Sequence, residues 1–201
     1  MTKPSKTIHE IYQENATFWD QDRARGSFPE KFYMDELFQK LNRDDEILDI
    51  GCGSGQPIAA FFINRGMKIT GVDIASNMIA IAEKKYPQAT WLVADMRSLN
   101  LNQKFSAVMA WDSFFHLTHE EQEGMFPIFK RHLKPGGFLI FTSGPARGIA
   151  IGDMNGNALF HSSLDPAEYR KLITANDMKE ISFTADNPDF GGHSIWVCQA
   201  F

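Results

Sequence analysis

The segment Ile47-Leu-Asp-Ile-Gly-Cys-Gly-Ser-Gly-Gln56 constrains the fold more than any other part of the chain. A short apolar run ends in glycines 51, 53 and 55 and leads into a segment of helical spacing from about Pro57 to Asn64. Glycine is needed where the backbone takes positive φ or approaches a ligand with no Cβ in the way. The free N–H groups of the following helix's first turn add a local dipole. Tight strand-to-helix packing uses the same residues, so the turn marks a site only if other residues converge on it.

Short apolar runs alternate with amphipathic segments on either side of this turn. Residues 5–20 and 30–42 read as helices, the second opened by Pro29. Strands are expected at 47–50, 67–72, 90–94, 105–111 and 138–143, the last after a turn at Lys134-Pro-Gly-Gly137. Helices are expected at 76–86, at 118–133 behind a capping-box spacing, and from Asp165-Pro166 to about Ala175. Strands at 179–185 and 193–200 close the pattern, joined by the turn-rich stretch 186–192. Strands alternating with helices imply right-handed crossovers and a parallel sheet covered on both faces. The expected class is α/β, Rossmann-like and doubly wound, with the final strand antiparallel. Residues 144–163 hold four glycines and no helical period, and read as a long loop or lid. The expected organisation is one domain, 1–201, with a helical cover over 1–44, a core over 45–143 and a C-terminal unit over 164–201.

Composition narrows the function. A chain of 201 residues that is 43% hydrophobic can bury a core without a metal or disulfide staple. The net charge of −5 argues against nucleic acid as the partner, because phosphate neutralisation needs clustered Lys and Arg. Cys52 and Cys198 show no disulfide or zinc spacing, and the six histidines show no metal-ligand pattern. Neither a signal segment nor a membrane span is legible, so a cytoplasmic protein without a metal or membrane partner is expected.

Two acidic residues follow the glycine turn. Asp73 ends the second expected strand, 18 residues after Gly55, close to the roughly 20-residue offset at which an acid meets ribose hydroxyls. Asp95 follows the third, so three successive strand ends present glycines or a carboxylate to one edge. The spacing G-x-G-x-G differs from the dinucleotide fingerprint G-x-G-x-x-G, and Asp49 lies just before the first glycine. A carboxylate there repels a pyrophosphate and suits a nucleoside ligand bearing an ammonium and a sulfonium.

Leu48-Asp-Ile-Gly-Cys-Gly-Ser-Gly55, Gly71-Val-Asp-Ile74, Ala94-Asp-Met96, Ala110-Trp-Asp-Ser-Phe-Phe-His-Leu117 and Leu133-Lys-Pro-Gly-Gly-Phe138 resemble, in order, the motifs of class I S-adenosylmethionine-dependent methyltransferases. The resemblance covers about residues 45–143 and implies a seven-stranded sheet and S-adenosylmethionine as methyl donor. It places Asp49, Gly51, Cys52, Gly53 and Gly55 against the methionine moiety and Asp73 on both ribose hydroxyls. Ile74 would pack on adenine, with Asp95 and the Met96 backbone at its edge, and Trp111 beside the methionine part. Tyr12 or Trp19 would close over the cofactor.

Methyl transfer from a sulfonium needs alignment and water exclusion more than a base. No catalytic group is therefore fixed by pattern, and Asp112 and His116 are the candidates beside the methyl group. Phe115, His161 and His193 are candidate acceptor contacts, and Phe28, Phe32, Phe114, Phe160, Phe190 and Trp196 hint at an apolar small-molecule acceptor. Cys52 reads as a small turn residue, not a nucleophile. A nicotinamide-dependent oxidoreductase and a non-catalytic S-adenosylmethionine or S-adenosylhomocysteine binder are the alternative readings.

Overall fold

A computed structural model describes residues 6–188 and 192–201. Seven strands form one sheet in the order β3-β2-β1-β4-β5-β9-β8. They span Glu46–Ile50 (β1), Lys68–Asp73 (β2), Thr90–Val93 (β3), Phe105–Ala110 (β4), Leu133–Ser143 (β5), Met178–Asn187 (β8) and His193–Ala200 (β9). Strands β1 to β5 pair in parallel, and β9 runs antiparallel between β5 and β8. The expected architecture is thus observed.

The alternation of strand side chains divides the core in two. Leu48, Ile50, Val108, Ala110, Leu139, Phe141 and Trp196 face α5 (His119–His132) and α6 (Pro166–Ala175). Ile47, Ala107, Met109, Ile140 and Ile195 face α2 (Lys31–Phe38) and α3 (Ile58–Ile63), with Ile79 and Ala82 of α4 (Ser76–Lys85) in the same cluster. Strands buried on both faces explain the near-continuous apolar runs. Capping boxes at Thr7, Thr118 and Asp165 set the starts of α1 (Ile8–Arg25), α5 and α6.

Several expectations need correction. Residues 144–163 are no loop: they hold an antiparallel hairpin, β6 (Gly148–Met154) and β7 (Asn157–Ser163). Its Met154 and Leu159 pack on Ile11, so the hairpin supports α1 over the sheet edge. Lys134–Gly137 is absorbed into β5, where the pairing with β4 shifts register. Phe114 and Trp196 are fully buried among Phe141 and Tyr169 and cannot meet an acceptor. Phe28 packs on Phe61, Phe32 lies at the surface, and Phe190 lies outside the described residues. Among the described residues no helix is long and apolar enough to cross a membrane, and no cluster of acidic, His and Cys residues could hold a metal.

Candidate active site

A cavity of about 450 Å³ opens over the carboxyl ends of β1, β2, β3 and β4, beneath α1. That is where open α/β sheets bind ligands, and its size is within the usual range for small-molecule sites. Of the residues singled out by sequence, Asp49, Gly51, Cys52, Gly53, Asp73, Ile74, Asp95, Met96, Trp111, Asp112 and His116 line it, as do Tyr12 and Trp19. Gly55, Phe115, His161 and His193 do not.

The glycine turn is tied down from within. Gly51 and Cys52 donate their N–H groups to Val72 O at 2.7 and 3.0 Å, and Gly55 donates to Cys52 O at 3.0 Å. Gly53 donates to Asp73 Oδ2 at 2.9 Å. These four donors are consumed inside the protein, so the turn is poorly suited to cradle a phosphate, which needs free N–H groups. Gly51, at φ 75°, would collide through a Cβ with the Ser113 side chain, whose hydroxyl donates to Ile50 O at 2.7 Å. Gly55 serves packing instead of the cavity: a Cβ there would stand 2.8 Å from Trp91.

Three carboxylates differ sharply in their surroundings. Asp49 is 4% exposed, and neither a hydrogen bond nor an ion pair reaches its side chain among the described residues. Burial first, then the neighbouring Asp73, pushes its carboxyl up to about 7. Asp73 is also raised by burial, opposed by the N–H groups of Ala75 and Gly53 that it accepts. Asp95 is lowered, chiefly by the Arg97 guanidinium, which also bonds Glu121 at 2.6 Å. Burial, then Asp49 and Asp73, raise the Cys52 thiol well above its ordinary value, which keeps it neutral and unreactive.

On the far side, His116 sits in a 3₁₀ turn after β4 with both ring nitrogens engaged. Phe160 O lies 3.0 Å from Nδ1 and can only accept, which fixes the proton on Nδ1. Nε2 therefore accepts from the Tyr12 hydroxyl at 2.9 Å. Burial drives the imidazole down to about 4 and the phenol upward, so both groups are neutral. His116 has no free nitrogen for an acceptor; it pins α1 to the sheet. Phe115, His161 and His193 form a wall behind it, with Phe115 ring centres 4.8 Å from His161 and 5.0 Å from His193. Asp112, at φ 47°, bonds Thr142 and accepts from His193 Nδ1 at 3.0 Å, a contact that raises the His193 imidazole.

Sequence reasoning missed Arg97, Glu121, Arg23, His9 and Thr7 on the cavity wall. The Thr7–Glu10 capping box was a usable signal for where α1 begins, and hence for which of its residues overhang the strands.

A family model described as a methyltransferase domain matches residues 47–137. Over 96 residues the chain is 35% identical to dTDP-3-amino-3,4,6-trideoxy-alpha-D-glucopyranose N,N-dimethyltransferase of Streptomyces venezuelae, covering 47% of this chain and 40% of that one. The chain thus spans about two-fifths of the length of such curated relatives. CalS10, an amino pentose methyltransferase from Micromonospora echinaspora solved with S-adenosylmethionine bound, shares the fold at TM-score 0.73 and 18% identity, covering 92% of this chain and 97% of that one. Magnesium protoporphyrin IX methyltransferase from Synechocystis, solved with S-adenosylhomocysteine, does so at TM-score 0.76 and 16% identity, covering 96% and 98%. The fold is a Rossmann-like α/β sheet shared with solved methyltransferases. Residues 47–137, somewhat under half of the chain, carry the match to the methyltransferase-domain family model.

Proposed function

We propose that this chain transfers a methyl group from S-adenosylmethionine to a small-molecule acceptor. The observation that carries the reading is Asp49, a buried carboxylate on the cavity wall beside Asp73 that no hydrogen bond or ion pair from the described residues reaches. Burying an uncompensated carboxylate is costly, and an incoming ammonium relieves that cost. The donor set thus fits a cationic nucleoside and not a diphosphate. When bound, S-adenosylmethionine supplies a methyl group already activated by the sulfonium charge.

The protein's own residues hold and enclose. Asp49 takes the ammonium, Asp73 the ribose hydroxyls through its remaining lone pairs, and Ile74 with Met96 flanks the adenine. Gly51 and Gly53 keep the turn bare so that the methionine part can lie against backbone. Trp111 borders the reacting centre, and Tyr12 and Trp19 roof it. Alignment under that roof is worth several kcal/mol of the barrier. Relatives of this chain act on amino sugars by their names, which supports a small-molecule acceptor here. Titration calorimetry with S-adenosylmethionine tests the reading: binding that Asp49→Asn weakens at least tenfold supports it, and absence of binding overturns it.

A further inference from the structure

The aspartates on the cavity fall into two sets. Asp49, Asp73 and Asp95 stand at the tips of β1, β2 and β3 or just beyond them, on the half of the sheet proposed to hold the nucleoside. Asp112 stands apart, two residues past β4, and is fastened to the other half. Its backbone N–H donates to Thr142 Oγ1 of β5 at 2.8 Å, and His193 Nδ1 of β9 donates to its Oδ1 at 3.0 Å. The hydroxyl of Thr142 also reaches Oδ1, at 3.2 Å. Oδ2 accepts nothing from the described residues, and Asp112 lines the cavity.

An aspartate held at positive φ is uncommon and costs backbone energy, of the kind that accumulates at functional sites. The three bonds to Thr142 and His193 hold the carboxylate in one orientation. Charge then selects what it meets. Both guanidinium groups on the cavity are already paired, Arg23 with Glu30 and Arg97 with Asp95 and Glu121. The indole of Trp111, next to Asp112 in the chain, borders the same space and favours a cation.

We infer that Asp112 recognises the acceptor, and that the acceptor is an amine bound through Oδ2. His193 and Thr142 are positioning residues that hold Asp112. The inference rests on the methyltransferase reading and deepens it. An arriving ammonium gives one proton to Oδ2 and becomes a nucleophile. Its lone pair forms the N–C bond as the C–S bond breaks, so nitrogen takes up the positive charge that sulfur loses. Asp112 then releases its proton to water at the cavity mouth.

The test uses the full chain with benzylamine, 2-phenylethylamine and glucosamine against benzyl alcohol, 2-phenylethanol and glucose. Calorimetry with S-adenosylhomocysteine present reads affinity, and S-adenosylhomocysteine release from S-adenosylmethionine reads turnover. At least one amine is expected to bind tenfold or more tightly than its alcohol and to be methylated. Asp112→Asn should remove that preference, while donor affinity stays within twofold. His193→Gln should raise KM for the amine more than it lowers kcat. Alcohols preferred over amines, no amine bound, or an amine preference that survives Asp112→Asn would each overturn the inference. Because the amine-to-alcohol comparison is made on unaltered protein, a variant that fails to fold leaves it intact. Donor binding without amine binding refutes the acceptor alone; no donor binding refutes the methyltransferase reading as well.

Discussion

Gly53 donates its backbone N–H to Asp73 Oδ2 at 2.9 Å, fastening the turn after β1 to the carboxylate that ends β2. One oxygen of Asp73 therefore shapes the turn, and the other accepts Ala75 N–H at 2.8 Å. Both oxygens keep a second lone pair for ribose hydroxyls. Asp73→Ala is expected to weaken S-adenosylmethionine binding by about 1–3 kcal/mol through lost charge-assisted hydrogen bonds. Calorimetry on the purified variant measures it, and unchanged affinity removes Asp73 from the site.

Asp49 gives a prediction in which binding and stability move oppositely. Its folded-state value of about 7 lies above the roughly 3.9 of an unfolded aspartate. Between those values the folded chain holds the extra proton, so the Asp49 contribution to stability falls as pH rises from about 4 to about 7. Asp49→Asn should remove that slope and melt at higher temperature than the parent at pH 8. In the parent, donor affinity should drop by up to about tenfold per pH unit below 7, as the carboxylate protonates. Melting and calorimetric series across pH check both halves. A parent whose donor affinity is flat from pH 5 to 8 contradicts the assignment.

Gly55 should behave as a packing residue. At φ 77°, and with Trp91 only 2.8 Å from where a Cβ would sit, alanine there meets backbone strain and a ring at once. Gly55→Ala is expected to cost about 2 kcal/mol or more, combining the left-handed penalty with overpacking. Trp91→Leu should return part of that loss in the double variant, because it removes the ring and leaves the strain. Denaturant unfolding of the four-member cycle reads the coupling, and strict additivity would deny the contact.

Tyr12 and His116 hold α1 down. Tyr12→Phe leaves His116 Nε2 without its donor inside the protein, at a cost of roughly 1–3 kcal/mol for an unpaired buried group. Amide exchange in α1 should accelerate severalfold in the variant. Since burial keeps the imidazole near 4, the parent's α1 protection should be the same at pH 6 and pH 8. A parent whose α1 loosens on acidification to pH 6 contradicts a neutral His116.

The sheet was legible because most of its helices are punctuated: glycines after Ile50 and Pro57 before α3, capping boxes before α5 and α6. The cavity wall was legible where strand tips carry acids. The hairpin was hidden by Gly148, Gly152 and Gly156, which break up the alternation of Ile149, Ile151 and Leu159. Yet Asn155-Gly156, at φ 51° and 78° between paired Met154 and Asn157, is a two-residue hairpin turn readable from sequence. Trp196 and Phe114 misled because an aromatic beside a candidate loop looks the same in sequence whether it faces a cavity or a core. His116 lines the cavity, but only three dimensions show that Tyr12 and Phe160 take both its nitrogens.

The most direct measurement is paired calorimetry of the unaltered protein with S-adenosylmethionine and with NAD at pH 8. Saturable binding of the sulfonium nucleoside at one site per chain, with no heat from the dinucleotide, is the predicted result. Saturable NAD binding with no S-adenosylmethionine signal would contradict it.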